Sequence, residues 1–352
     1  MKKPNCTRLL SLVGAAAFII LVIISPKVCT VGAAKGLLLA GRVIIPSLFP
    51  FTACVLFIMK SGGLELLGFA APFTKKVFNL SPELFSLMLL SFMGGYPVGA
   101  KLLNEAVKTG RLSKENAGIM LNYCVNAGPA FVVLAVGGGI LGSKKTGYIL
   151  LAAHIAASLI LSLFFGFYIK NENTVCSKTE ISPGSADKFV SAVSDAAAAV
   201  FSVCAYVILF SAVNEYMGYA AQRIPFLKYL SPLLEVTNAV TGMRNIIIIA
   251  FLLGFAGISV WCQILSVGKL IRINFAAFTL SRIAHGLLSA LFCALLLKAF
   301  GIAVTASASA LVKYTPSYSG TALSLSMLSM VIVLIISLFS EKRTGNILKD
   351  IV

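Results

Sequence analysis

Charge is the scarcest property of this sequence. Asp, Glu, Lys and Arg make up 12% of its 352 residues, where a soluble domain carries about 25%. With 59% hydrophobic residues and a mean hydropathy of +0.96, the natural solvent for much of the chain is lipid. Histidine is nearly absent, with two in the chain, and neither has a carboxylate neighbour at ligand spacing. That excludes the usual zinc constellations. No H-E-x-x-H, no G-x-S-x-G and no paired aspartates occur, so an intramembrane enzyme lacks its acid–base or metal set, and the expectation is no enzyme and no cofactor. The eight cysteines include no C-x-x-C and lie mostly inside apolar runs. They read as small buried hydrophobes, with neither a disulfide frame nor a metal site. Long polar loops are missing too, which leaves little surface for a scaffold that recruits soluble partners.

What is present is a series of apolar runs that approach or exceed the roughly 20 residues of a spanning helix. They cover residues 9–25, 43–59, 84–102, 147–169, 190–213, 246–267, 275–300 and 321–340. The expected fold is all-α: a polytopic membrane protein of about 8–10 spans. The formal net charge of +17 is scattered in ones, twos and threes through the connecting loops. That is how cations end spans and meet anionic headgroups, so the partner is the lipid bilayer and no nucleic acid. The first 25 residues have the basic start and apolar middle of a secretory leader, but no A-x-A-like site follows. Residues 1–30 therefore read as a retained signal-anchor span.

The longest polar interruption, "KNENTVCSKTEISPGSAD" at 170–187, reads as a linker between two halves, 31–169 and 188–340, with a short tail at 341–352. "LLSFMG" at 89–94 matches "LLGFAG" at 252–257, a shift of 163 residues that also carries the span around Val43 onto that around Tyr206. Each half reads as a span, a short interfacial amphipathic segment (64–80; 220–239), a glycine-interrupted segment and further spans. The halves are expected to be related as an inverted repeat.

The segment "SFMGGYPVGAK", residues 91–101, breaks a greasy run on purpose. Irregular backbone survives at membrane depth only when buried in protein or lining a wet cavity. Pro97 donates no hydrogen bond, Gly94 and Gly95 let the chain unwind beside Tyr96, and Lys101 follows. "NAGPAF" repeats the device, with Gly128 and Pro129 stopping a helix that carries Asn122 and Asn126 at i, i+4. In the second half "GFAGISVWCQ" sets Gly257 before Ser259 and Gln263, again at i, i+4, and Glu235 is a lone acid among apolar neighbours. Short, Gly/Pro-broken segments at matching places of two halves point to a transporter's solute site, and these residues are its candidates. Each has a plainer reading: small and amide residues pack membrane helices, and Lys101, Arg282 and His285 serve equally as span ends. Pro46 and Pro50 read as a kink.

"IIPSLFPF", "GGYPVGAK", "NAGPAF", "LLEVTNAV" and "FAGISVWCQ", in this order, resemble the sporulation integral membrane proteins of the YlbJ type, within the nucleoside-recognition or Gate domain group. The resemblance runs over about residues 35–340; Ala256 stands where the family pattern has its first glycine. It implies a multi-pass protein of endospore formers linked to moving dipicolinate across the outer forespore membrane, and a kinship with nucleoside transporters built on inverted hairpins. A small anion also suits half-helix N-termini and a nearby cation. The expected function is transport of a small polar, anionic solute. The alternatives are a membrane scaffold for spore-envelope assembly and a nucleoside-type transporter.

Overall fold

The computed structural model describes residues 6–61, 71–170 and 186–305, and among them the architecture is helical throughout. The run 321–340, the tail 341–352 and most of the 170–187 linker lie outside the described residues. The helices are α1 Cys6–Ile24, α2 Pro26–Leu39, α3 Ile45–Lys60, α4 Ala71–Phe78, α5 Pro82–Gly94, α6 Tyr96–Lys108 and α7 Lys114–Cys124. Then come α8 Lys144–Gly166, α9 Ala186–Ala220, α10 Leu227–Leu234, α11 Val236–Gly242, α12 Ile246–Phe255, α13 Gly257–Val267 and α14 Phe275–Ala299. Two π-helical stretches, Ala40–Ile44 and Ala130–Ile140, complete the set.

Local sequence fixes many of the helix starts. Ser81, Ser113 and Ser143 each accept a backbone N–H three residues on, at 3.1–3.3 Å, and Asn245 and Asn274 do the same for α12 and α14. Such caps satisfy donors that the first helical turn otherwise leaves unpaired. The run expected at 43–59 is the second half of a longer rod. α2, the first π turn and α3 join into one apolar helix, Pro26–Lys60, with the π turn directly before Pro46 and Pro50. The expected kink therefore has a structural correlate, since a π turn and helical proline are both causes of bending.

Five helices among the described residues are long and apolar enough to cross a membrane. Their faces are inverted relative to a soluble bundle. α14 turns Leu280, Leu287, Leu291 and Leu295 outward while Ser281, Arg282, His285 and Ser289 are buried. α8 likewise exposes Tyr148, Ile160 and Phe164 and buries His154, Ser158 and Ser162. Leucine outside and ionisable groups inside is the arrangement lipid demands. The chain is a multi-pass membrane protein.

The element order repeats. Adding 163 to α5 and α6 gives 245–257 and 259–271, against α12 and α13; α4 falls on α11, and the start of α7 within two residues of α14. Equivalent elements pack on each other: α3 on α9, α6 on α13, α7 on α14. Their directions differ from pair to pair. Pro26–Lys60 runs antiparallel to α9, since Gly32 meets Ala212 while Lys60 bonds Ser191 at 2.9 Å. α6 and α13 run in the same sense: Tyr96 donates to Leu253 just before α13, and Asn104 accepts from Leu270 just after it. α7 and α14 also share a sense, with Arg272 bonded to Lys114 and Arg282 to Val125. A single inversion of every element does not describe these contacts. The segment 220–239, read as interfacial, divides: α10 has no buried residue, whereas Val236, Thr237 and Ala239 at the start of α11 are buried inside the fold.

Candidate functional site

Four chain breaks meet in two pairs at the centre. α5 ends at Gly95, whose φ of 89° and ψ of 179° lie in a region that only glycine occupies readily. Across from it α7 stops at Cys124, and residues 125–129 run irregularly into the second π-helical stretch. A Cβ on Gly128 would sit 3.2 Å from the Gly95 Cα, so the two breaks touch backbone to backbone. In the other pair, Ala256 and Gly257 separate α12 from α13 with φ of 74° and 75°. They abut the α10–α11 break, a Cβ on Gly257 lying 3.3 Å from Val236 N. Ala256 thus takes a left-handed conformation that glycine adopts at less cost.

Pro97 is placed differently from its sequence reading. It sits in the first turn of α6, where no helical donor is needed, so the unwinding belongs to Gly95 and the proline starts the next helix.

Between the paired breaks lies a cavity. Tyr96, Pro97, Gly128 and Phe131 line it from the first half, and Glu235, Val236, Thr237, Val260 and Gln263 from the second. Ile44 and Leu48, beside the first π turn, and Val203 and Val207 of α9 close its apolar side. The cavity volume is about 30 Å³, room for a water or two. A larger solute enters only when a wall moves. Glu235 is the ionisable carboxylate on the lining and is 1% exposed. Its oxygens accept from Thr237 N at 2.9 Å and Asn238 N at 2.6 Å, so the acid caps α11 while facing the cavity. Among the described residues no lysine or arginine lines it.

The sequence-predicted residues divide accordingly. Tyr96, Pro97, Gly128, Glu235 and Gln263 share the cavity, and Ser259 stands behind Gln263, accepting from its amide at 3.4 Å. Gly95 and Gly257 form the touching breaks, and Gly94 packs against Val98. Asn126 bonds Tyr123 O at 2.7 Å and Ser158 at 2.5 Å, and Asn122 bonds carbonyls of its own helix. Neither amide reaches the lining. Lys101 turns the other way, donating to the Asp195 carbonyl at 2.9 Å with the Asp195 carboxylate at 3.5 Å; Lys60 holds the same carboxylate at 2.9 Å.

Sequence reasoning left Arg282 and His285 undecided and passed over His154. All three are fully buried behind the cavity, where α7, α8 and α14 meet. Arg282 donates to the carbonyls of Val125, at 2.6 Å, and Asn122, and its guanidinium lies 5.6 Å from the Phe278 ring centre. It thereby satisfies the end of α7, including the Val125 carbonyl that Pro129 leaves without a helical donor. The His154 and His285 rings stack with centres 4.4 Å apart, His154 Nε2 accepting from Ala127 N at 2.9 Å. The available signal was weak: lone polar residues in apolar runs, whose partners come from other helices.

A curated relative has the same extent. The chain is 23% identical over 344 residues to the sporulation integral membrane protein YlbJ of Bacillus subtilis, covering 84% of each chain. The motif-level resemblance and this match agree. No family profile matches the chain, and no solved structure is similar to it.

Proposed function

We propose that this protein is a transporter that carries a small polar solute across the membrane in which it sits, through the cavity between the paired breaks. The observation that carries the reading is that cavity, set between four helix interruptions and lined from both halves of the chain. Broken backbone inside a membrane protein has a use when it surrounds a solute path. Gln263, Thr237, Tyr96 and the backbone near Gly128 supply donors and acceptors, and the occluded size suits a gate that opens to one side at a time. The similarity to a sporulation integral membrane protein supports a role in spore formation. On the resemblance to YlbJ-type proteins, dipicolinate crossing the outer forespore membrane is one solute for this path, and the role we propose is transport rather than enzymatic or scaffolding.

A second solute class has its own support. Among the described residues the lining carries an acid and no cation, which favours an uncharged, ring-bearing solute of nucleoside type over a dianion at this place. Uptake of labelled dipicolinate and, separately, of labelled uridine by proteoliposomes holding only this protein tests the reading. Time-dependent, saturable uptake of either supports transport. Retention no greater than in empty liposomes for both contradicts it.

A further inference from the structure

Glu235 is an acid that the fold buries without a cation. It lines the cavity, and among the described residues no lysine, arginine or histidine joins it on the lining. Its two oxygens accept from Thr237 N and Asn238 N, so its charge holds the start of α11 at the cavity wall. Backbone donors ease the burial of a carboxylate but leave its charge in place, and a proton relieves that charge directly. The surroundings add no competing ion. Tyr96 is the other titratable group on the described lining, and its hydroxyl is donated to Leu253 O at 2.6 Å. α11, α12 and the second π-helical stretch carry no titratable side chain. Lys228 and Tyr229 of α10 are exposed, and Cys204 of α9 and Cys262 of α13 lie off the lining. α9 turns Val203 and Val207 to the cavity, while its Glu215 pairs with Lys35 at 2.7 Å. Arg282 is off the lining and held by carbonyls.

A second observation points to the same ligand. Gln263 is 3% exposed and shares the lining, and its amide makes one long hydrogen bond, the 3.4 Å donation to Ser259. Among the described residues its side-chain oxygen receives no donor. An ionised carboxylate offers none, whereas a protonated one offers an O–H. The cavity has room for a water to join the two groups and to pass the proton. We propose that Glu235 is a proton-binding site on the solute path, its protonated form donating to Gln263 and its ionised form holding the α11 cap. The proton comes from water on one face, sits on a carboxylate oxygen and leaves to water on the other face, which restores the carboxylate. Protonation weakens the two charge-assisted bonds to α11 and removes the charge that opposes an anionic solute. The inference rests on the transport reading and adds the proton as the ion carried with the solute.

The first test needs no solute. Infrared difference spectra of the full chain in detergent, taken as the pH is lowered, show a protonated-carboxyl band that is missing in Glu235→Gln. The band vanishes when the pH is restored, and it is displaced in Gln263→Leu, which removes the acceptor. Identical spectra for the wild type and folded Glu235→Gln overturn the proposal, as does a Glu235 band that no pH in the folded range removes. Should Glu235→Gln not fold, Gln263→Leu decides, and an undisplaced band overturns the proposal. The second test sets a pH gradient across proteoliposomes and follows labelled dipicolinate and, separately, labelled uridine. Acid outside raises initial wild-type uptake severalfold over equal pH, a protonophore abolishes the rise, and Glu235→Gln does not respond to the gradient. Wild-type uptake that ignores the gradient overturns the proposal and leaves transport standing. A Glu235 that titrates, with no uptake under any gradient, upholds the proton site and contradicts transport.

Discussion

Arg282 donates a 2.6 Å hydrogen bond to the carbonyl of Val125, a residue 157 positions earlier in the chain. The contact joins a cation of one half to a helix end of the other, at the place where Pro129 prevents the helix from capping itself. The broken stretch 125–129 is thus held by a residue outside it. The same stretch presents Gly128 to Gly95 and to the cavity.

Gly95→Ala tests the first break. A non-glycine residue at φ 89°, ψ 179° costs of order 1–3 kcal/mol, so the variant unfolds earlier in denaturant or heat. Ala256→Gly, by contrast, is expected to be close to neutral. Relief of left-handed strain, about 1 kcal/mol, is offset by loss of a buried methyl, about 0.8 kcal/mol. Equal effects of the two substitutions on the unfolding midpoint contradict this assignment.

Lys101→Gln separates the ion pair from the solute site. Lys101 is held by Asp195, whose side chain is 41% exposed, so the pair is worth about 1 kcal/mol or less. The expected outcome is a small loss of stability, shared with Asp195→Asn in a double-mutant cycle, with solute affinity within about twofold of wild type. A tenfold loss of affinity would return Lys101 to the solute site.

The directions of the helices predict which ends share a membrane face. Lys108 and Lys269, at the exposed ends of α6 and α13, follow helices that run in the same sense. Lys60 meets the start of α9, and Arg223 follows the end of that helix, which at 35 residues is roughly 50 Å long. Single cysteines in a Cys-free background should therefore label with an impermeant maleimide from one face at 108 and 269, and from opposite faces at 60 and 223. Opposite faces for 108 and 269 would restore a full inversion.

Much of this was legible because it is local. Gly95, Pro129 and Gly257 announce breaks by their own backbone chemistry, and Ser113 caps α7 as the sequence suggests. Five of the twelve candidate residues reach one cavity because breaks at matching places of two halves come together. Lys101 and the two asparagines read as solute ligands for want of their partners, Asp195, Ser158 and local carbonyls. Arg282 and His154 are single polar positions in apolar runs, and only tertiary packing joins them. The relative directions of the halves are also tertiary facts that periodicity does not encode.

The central claim is that the cavity between the paired breaks is the solute path, and Gln263 tests it most directly. Its amide lines the cavity and has one long hydrogen bond, to Ser259 at 3.4 Å, so Gln263→Leu removes polar chemistry at little cost to packing. Initial uptake of labelled dipicolinate and uridine is to be measured in proteoliposomes matched for inserted protein. The account predicts saturable uptake by the wild type and at least about a tenfold loss in Gln263→Leu for the solute carried, the scale of one buried hydrogen bond left unmade. Wild-type uptake by Gln263→Leu would contradict it.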